Sequence, residues 1–107
     1  MALRTLSIEP GDRLSITLTG HMACRCPING KRDEATVMVT YTPVDMVLEL
    51  AAFADYLVSF QARPITHEEA TAVIANEVRW SVMSDEVTVT TNWAPVEGVE
   101  CIVRVVA

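Results

Sequence analysis

The chain has 107 residues, half of them hydrophobic, and 14 acidic against 8 basic side chains give it a net charge of −6. That length suits one domain, expected over residues 1–107, and the apolar content excludes a disordered chain. The acidic balance argues against non-specific attraction to a nucleic-acid backbone or an anionic membrane, and no apolar run approaches the ~18 residues of a membrane span.

Met1 to Pro10 mixes charged and apolar residues and lacks the apolar centre of a signal peptide, so the expected location is cytoplasmic. Three cysteines is an odd number, and a reducing compartment keeps thiols free, so no disulfide framework is expected. The apolar fraction is high for a small monomer, and burial between subunits would account for it.

Arg13 to Thr19 alternates Leu14, Ile16 and Leu18 with Ser15, Thr17 and Thr19, the period of a half-buried strand. Gly20 to Asp33 reads as a connection of roughly a dozen residues, long for a hairpin and therefore of functional interest. Glu34 to Thr42 alternates again, with Ala35, Val37, Val39 and Tyr41 on one face. Pro43 ends that strand, and Asp45 is a plausible helix cap. Met46, Leu50, Phe53, Leu57 and Phe60 then recur at helical spacing until Ala62-Arg63-Pro64 breaks the helix.

Thr66 and Glu69 form a capping-box pattern for a second helix, His67 to about Val82. Met83-Ser84-Asp85 is a turn. Glu86 to Trp93 is a third strand, Ala94 to Gly98 a hairpin loop, and Val99 to Val106 a last strand that is apolar on both faces apart from Glu100 and Arg104. Such a strand is buried on both faces or paired against another subunit. The predicted order is ββααββ: an α+β fold with a four-stranded antiparallel sheet and two helices on one face.

Candidate chemistry gathers in Cys24 to Asp33. Cys26 lies in a polar turn with Arg25, Lys31 and Arg32, a setting that favours the thiolate, the strongest nucleophile among side chains. The alternative is a structural, half-buried cysteine. Cys24 and Cys26 share a face in an extended chain and, with His21 or His67, would suit zinc. A single Cys-x-Cys, however, lacks the second pair that structural zinc normally has. Cys101 alternates with Val99 and Val103 and reads as core.

Asp33 is either a proton donor beside the nucleophile or an acid that closes a turn. Glu68 is either a binding carboxylate for a heterocycle with adjacent N–H donors or a first-turn acid that complements the helix dipole. His67 beside it is open to the same two readings. Glu49 lies off the apolar stripe, where an exposed helix acid is the plain reading. Trp80 and Trp93 pack the sheet or line an interface. No phosphate loop, dinucleotide fingerprint or Ser/His/Asp arrangement is present.

Cys26-Pro27-x-x-Gly30-x-x-Asp33, a following strand, a helix ending Ser59-Phe60, and His67-Glu68 opening the next helix resemble the QueF family of tunnelling-fold (T-fold) proteins. The resemblance implies that Cys26 attacks the nitrile of 7-cyano-7-deazaguanine to form a thioimide and that Asp33 protonates the nitrile nitrogen. It implies that Glu68 holds the base, with His67 beside it.

The nitrile reductases of the family carry a lysine-bearing motif linked to NADPH. Here the corresponding stretch is Glu49-Leu50-Ala51-Ala52-Phe53-Ala54, which keeps Glu49, a further binding candidate, and has no lysine. No cofactor is therefore expected. The archaeal QueF-like branch adds ammonia to the same nitrile in transfer RNA (tRNA), giving the formamidine of archaeosine, and the chain resembles that branch more. The reductase and a non-catalytic purine-binding module are the alternatives. The resemblance also implies a homo-oligomeric ring, two rings stacking into a decamer.

Overall fold

A computed structural model describes residues 3–9 and 13–107. Of the N-terminal stretch read for a signal peptide, Met1, Ala2 and Pro10 lie outside the described residues. The elements are β1 (Thr5–Ser7), β2 (Ile16–Arg25), β3 (Arg32–Tyr41), β4 (Met46–Leu48), α1 (Leu50–Val58), α2 (His67–Val82), β5 (Val87–Val96) and β6 (Val99–Val106). The main sheet has the order β2-β3-β5-β6 with every pair antiparallel, and β1 pairs with β4 in a separate ribbon. The ββααββ core expected from the residue pattern is therefore present.

Period-two alternation sorts the sheet into two unlike faces. Met22, Cys24, Ala35, Val37, Val39, Val89 and Trp93 point to the helices and join Phe53, Leu57, Ile74 and Val78 in the core. The opposite face carries Thr17, Thr19, Thr36, Thr40, Thr88 and Thr90, exposed or half-buried, as β-branched polar residues allow.

Several expectations are corrected. Gly20 does not end the first strand: β2 runs on to Arg25, so the long connection shrinks to the turn between Cys26 and Lys31, and Asp33 lies inside β3. Leu14 precedes β2 and is exposed. Asp45 is no helix cap. Met46 to Leu48 are extended because they pair with β1, and Glu49 caps α1 by accepting from the Ala52 amide. Ala94 to Val96 continue β5 past a register shift, and the hairpin turn is only Glu97-Gly98, both at positive φ as tight two-residue turns demand. β1 had no counterpart in the residue pattern, since three residues are too few to show a period.

Gly20 has a packing reason. A Cβ there would lie 2.7 Å from Leu57 Cδ1, a buried core atom, so the missing side chain is what lets α1 close on β2. Gly20→Val is expected to destabilise the fold by about 1–3 kcal/mol through overpacking. A lower urea midpoint at unchanged slope would show it; an unchanged midpoint would mean that Leu57 yields freely.

Candidate functional site

The hairpin of β2 and β3 puts Cys24 directly opposite Asp33, both on the helix face. Cys26 follows at the turn. Its amide donates to the Lys31 carbonyl (2.8 Å), and its carbonyl accepts from the Gly30 amide (2.9 Å). Asn29 Oδ1 accepts from the Lys31 amide (2.9 Å), and Gly30 takes φ +71°, which suits glycine. The turn is thus held by backbone and Asn29, which leaves the half-buried Cys26 thiol free of a structural duty.

The α1–α2 connection docks on the same end of β2. The Arg25 amide donates to the Arg63 carbonyl (3.0 Å), the Ile65 amide to the Arg25 carbonyl (3.1 Å), and Arg25 bridges Pro64. This clamp sets the start of α2. Thr66 Oγ1 caps the Glu69 amide (3.1 Å) and pairs with the Glu69 carboxylate, as the capping-box pattern predicts. Glu69 is thereby occupied. Glu68 is exposed and has no hydrogen-bond partner among the described residues.

His67, the first helical residue, reaches Asp33: Nε2 to Oδ2 is 3.3 Å, with the two side chains only 19% and 13% exposed. The imidazole also lies flat on Trp93, centroids 3.9 Å apart and planes 6° apart. Trp93 is the functional neighbour that sequence reasoning missed. Its place on the helix-facing side of β5 was legible, but nothing local ties residue 93 to residue 67.

Cys24 is fully buried, its thiol donating weakly to the Ile65 carbonyl (3.8 Å). Burial pushes its pKa up from 9.0 to about 11, and the nearby charges of Asp33 and Cys26 push the same way. Cys24 is accordingly a neutral core thiol, and both candidate catalytic groups lie close beside it. The folded pKa exceeds the unfolded one, so the stability this thiol contributes is complete below pH about 9 and is lost as pH rises through about 11. Tyr56, raised to about 12 chiefly by burial and next by Glu77, acts in the same direction at higher pH. Urea midpoints across pH 8 to ~10.5 should fall less steeply in Cys24→Ala than in the native chain. Parallel profiles would remove Cys24 as a cause.

His21 points to the threonine face, where Nδ1 meets Thr36 Oγ1 at 3.5 Å, so it cannot join Cys24 and Cys26 in a metal site. Among the described residues no three His, Cys, Asp or Glu side chains are arranged to hold a metal ion. Glu49 caps the far end of α1, about 13 Å of helix away from the connection that docks beside Cys26, and one chain does not bring it to the others. Arg32 Nε pairs with Glu34 (2.9 Å) on the surface, while Arg25 and Lys31 have no ion-pair partner among the described residues. A cavity of about 590 Å³ lies beside this end of the sheet, lined by His21, Thr36, Gln61, Asn92 and Trp93 among others. It touches neither Cys26 nor Asp33. The Asp33–His67 contact, with Cys26 two residues beyond the cross-strand partner of Asp33, makes the β2–β3 hairpin the better guide to chemistry.

A four-stranded antiparallel sheet with two helices on one face is the arrangement of a T-fold chain. A family model described as "QueF-like protein" matches residues 32–107, and the chain belongs to that family. The match begins after Cys26. The apo crystal structure of the archaeosine synthase QueF-Like superposes with a TM-score of 0.83 at 29% identity, covering 87% of this chain and 92% of that one. The NADPH-dependent 7-cyano-7-deazaguanine reductase of Trichormus variabilis is 34% identical over 89% of this chain and 71% of its own length. The enzyme of the same name from Gloeobacter violaceus is 39% identical over 64% of this chain and 51% of its own length. No helix among the described residues is long and apolar enough to cross a membrane.

Proposed function

We propose that the chain is a cytoplasmic amidinotransferase that adds ammonia to the nitrile of 7-cyano-7-deazaguanine, carried in tRNA, to form the formamidine of archaeosine. The observation that supports it is the meeting of the Cys26 turn with the Asp33–His67 pair and the free Glu68 at one end of the sheet. The Cys26 thiolate attacks the nitrile carbon: a C–S bond forms, one π bond of the nitrile breaks, and the nitrogen takes a proton from Asp33, giving a thioimide. Ammonia then attacks the same carbon, the C–S bond breaks to release the Cys26 thiolate and the amidine, and the proton that ammonia loses returns to the Asp33 carboxylate. Nothing is oxidised or reduced. Glu68, exposed in the first turn of α2, accepts from the adjacent N–H groups of the base.

The choice of ammonia over hydride rests on α1. Glu49-Leu50-Ala51-Ala52-Phe53-Ala54 forms its cap and first turns and carries no cation, and Glu49 spends its carboxylate on the helix end. A nucleotide phosphate has no charged partner on that stretch, so the residues present do not fit NADPH. The second reading, an NADPH-dependent reductase, is favoured by the names of the curated relatives.

We further propose that copies join through the sheet edges into a ring that stacks with a second one. Among the described residues β2 and β6 are the edge strands of the sheet, and Val99, Ile102 and Val106 expose apolar surface on the last strand. Light scattering after gel filtration should give a multiple of the chain mass; a monomer would remove this part.

The test of function supplies nitrile-bearing tRNA, or the free base, with ammonium alone or with NADPH alone, and reads the modified base by mass spectrometry. Formamidine with ammonium alone is expected. An aminomethyl product that consumes NADPH would replace the proposal with the second reading. No product and no protein adduct would leave a binding module.

A further inference from the structure

We propose that Trp93 is a positioning residue for this site, holding His67 in register with Asp33 through both its ring and its indole N–H. Two sets of contacts meet at this indole. The first is the parallel stack, with centroids 3.9 Å apart and a 6° tilt, against a tryptophan that is itself 2% exposed and packed in the core. A ring pressed flat on a fixed surface cannot swing about its own side-chain bonds, and its one in-plane contact, Nε2 to Asp33 at 3.3 Å, then fixes the remaining rotation.

The second set is a buried chain of hydrogen bonds. Trp93 Nε1–H donates to Thr91 Oγ1 (2.8 Å), Thr91 Oγ1 meets Thr71 Oγ1 (2.6 Å), and Thr71 Oγ1 donates to the His67 carbonyl (2.8 Å). Each hydroxyl has one proton to give. Thr71 spends its proton on His67, so Thr91 must donate to Thr71 and can only accept from the indole. The chain therefore runs one way, from indole N–H through two hydroxyls to the backbone of His67. Thr71 and Thr91 are fully buried, so any break would strand a polar group away from water.

Trp93 thus grips both the ring and the backbone of one residue. A packing role alone would need the indole's area but neither its N–H chain nor its alignment with an imidazole. His67 in turn orients the Asp33 carboxylate, so a shift of the ring would misplace the proton donor. Displacements of about 1 Å can cost on the order of 100-fold in rate.

The test has two arms. The rate arm rests on the covalent reading above: Cys26 adduct formation is timed on saturating 7-cyano-7-deazaguanine, and base affinity is measured separately. Trp93→Leu is expected to slow the adduct step by about tenfold or more with base affinity little changed, and Trp93→Phe, which keeps a stacking ring, to recover part of it. Thr91→Val keeps the volume, breaks the chain and should also slow the step; it carries the arm if Trp93→Leu fails to fold.

The emission arm is independent of any reaction. In Trp80→Phe protein, the added change His67→Gln should alter the intensity or wavelength of Trp93 fluorescence, because it removes the ring stacked on the indole. A native-like adduct rate in Trp93→Leu, or in Thr91→Val if the first does not fold, overturns the proposal, as does an emission spectrum that His67→Gln leaves unaltered. If native protein forms no adduct, the proposed function fails, and the emission spectrum alone decides whether Trp93 holds His67.

Discussion

Cys26→Ala is expected to abolish covalent capture of 7-cyano-7-deazaguanine and to leave the fold standing. The turn around Cys26 is tied by the Cys26 amide and carbonyl and by Asn29, none of which the substitution removes. The thiol itself is half-buried at the hairpin and takes no part in the core cluster. Cys24→Ala should do the reverse. It removes a fully buried side chain and lowers stability, by about 1 kcal/mol or more, yet should keep the adduct. At neutral pH a thiol with a pKa of about 11 is almost entirely protonated and is a poor nucleophile. Intact mass after incubation with the free nitrile base reads both variants at once. An adduct of equal yield on Cys26→Ala would move the nucleophile elsewhere and undo the assignment.

Asp33→Asn should slow the same step by about 100- to 10,000-fold, the usual worth of a positioned acid. The amide keeps the size of the carboxylate and can still meet His67, so the 3.3 Å contact and the cross-strand place opposite Cys24 should survive. What is lost is a transferable proton for the nitrile nitrogen at the moment the C–S bond forms. The loss should therefore appear in the rate at saturating base, with affinity for the base little changed. Asp33→Asn also removes one of the charges that hold the Cys24 pKa high, a secondary effect confined to alkaline pH. An adduct rate within about threefold of native would show that the proton comes from another group or from water.

Local chemistry carried much of the architecture. The alternation of Glu34 to Thr42, the Thr66–Glu69 cap with the helix behind it, and the strands around Trp93 and Val103 all stand as their residue patterns predict. Each depends on neighbours within a few positions, where side-chain period and capping act. The extent of β2 was not legible. Gly20 reads locally as a breaker and is kept in the strand by pairing with Val37 and by the close approach of Leu57. Met46 to Leu48 read as helix and are held extended by Thr5 to Ser7, some forty residues earlier. In both places a long-range partner overrode the local preference.

The candidate site divides in the same way. The sequence by itself determined which groups are available: a thiol in a Pro-Asn-Gly turn, a carboxylate seven positions on, and a His-Glu pair opening a capped helix. It determined that the stretch from Glu49 to Ala54 has no cation, because composition needs no fold. Only the tertiary structure decided which groups meet. The docking of Arg63 and Ile65 on Arg25 swings His67 to Asp33, the strand register buries Cys24 and turns His21 to the other face, and Trp93 arrives under the imidazole from a distant strand. Residue identity sets what a side chain can do; strand register and the docking of one connection set what it can reach.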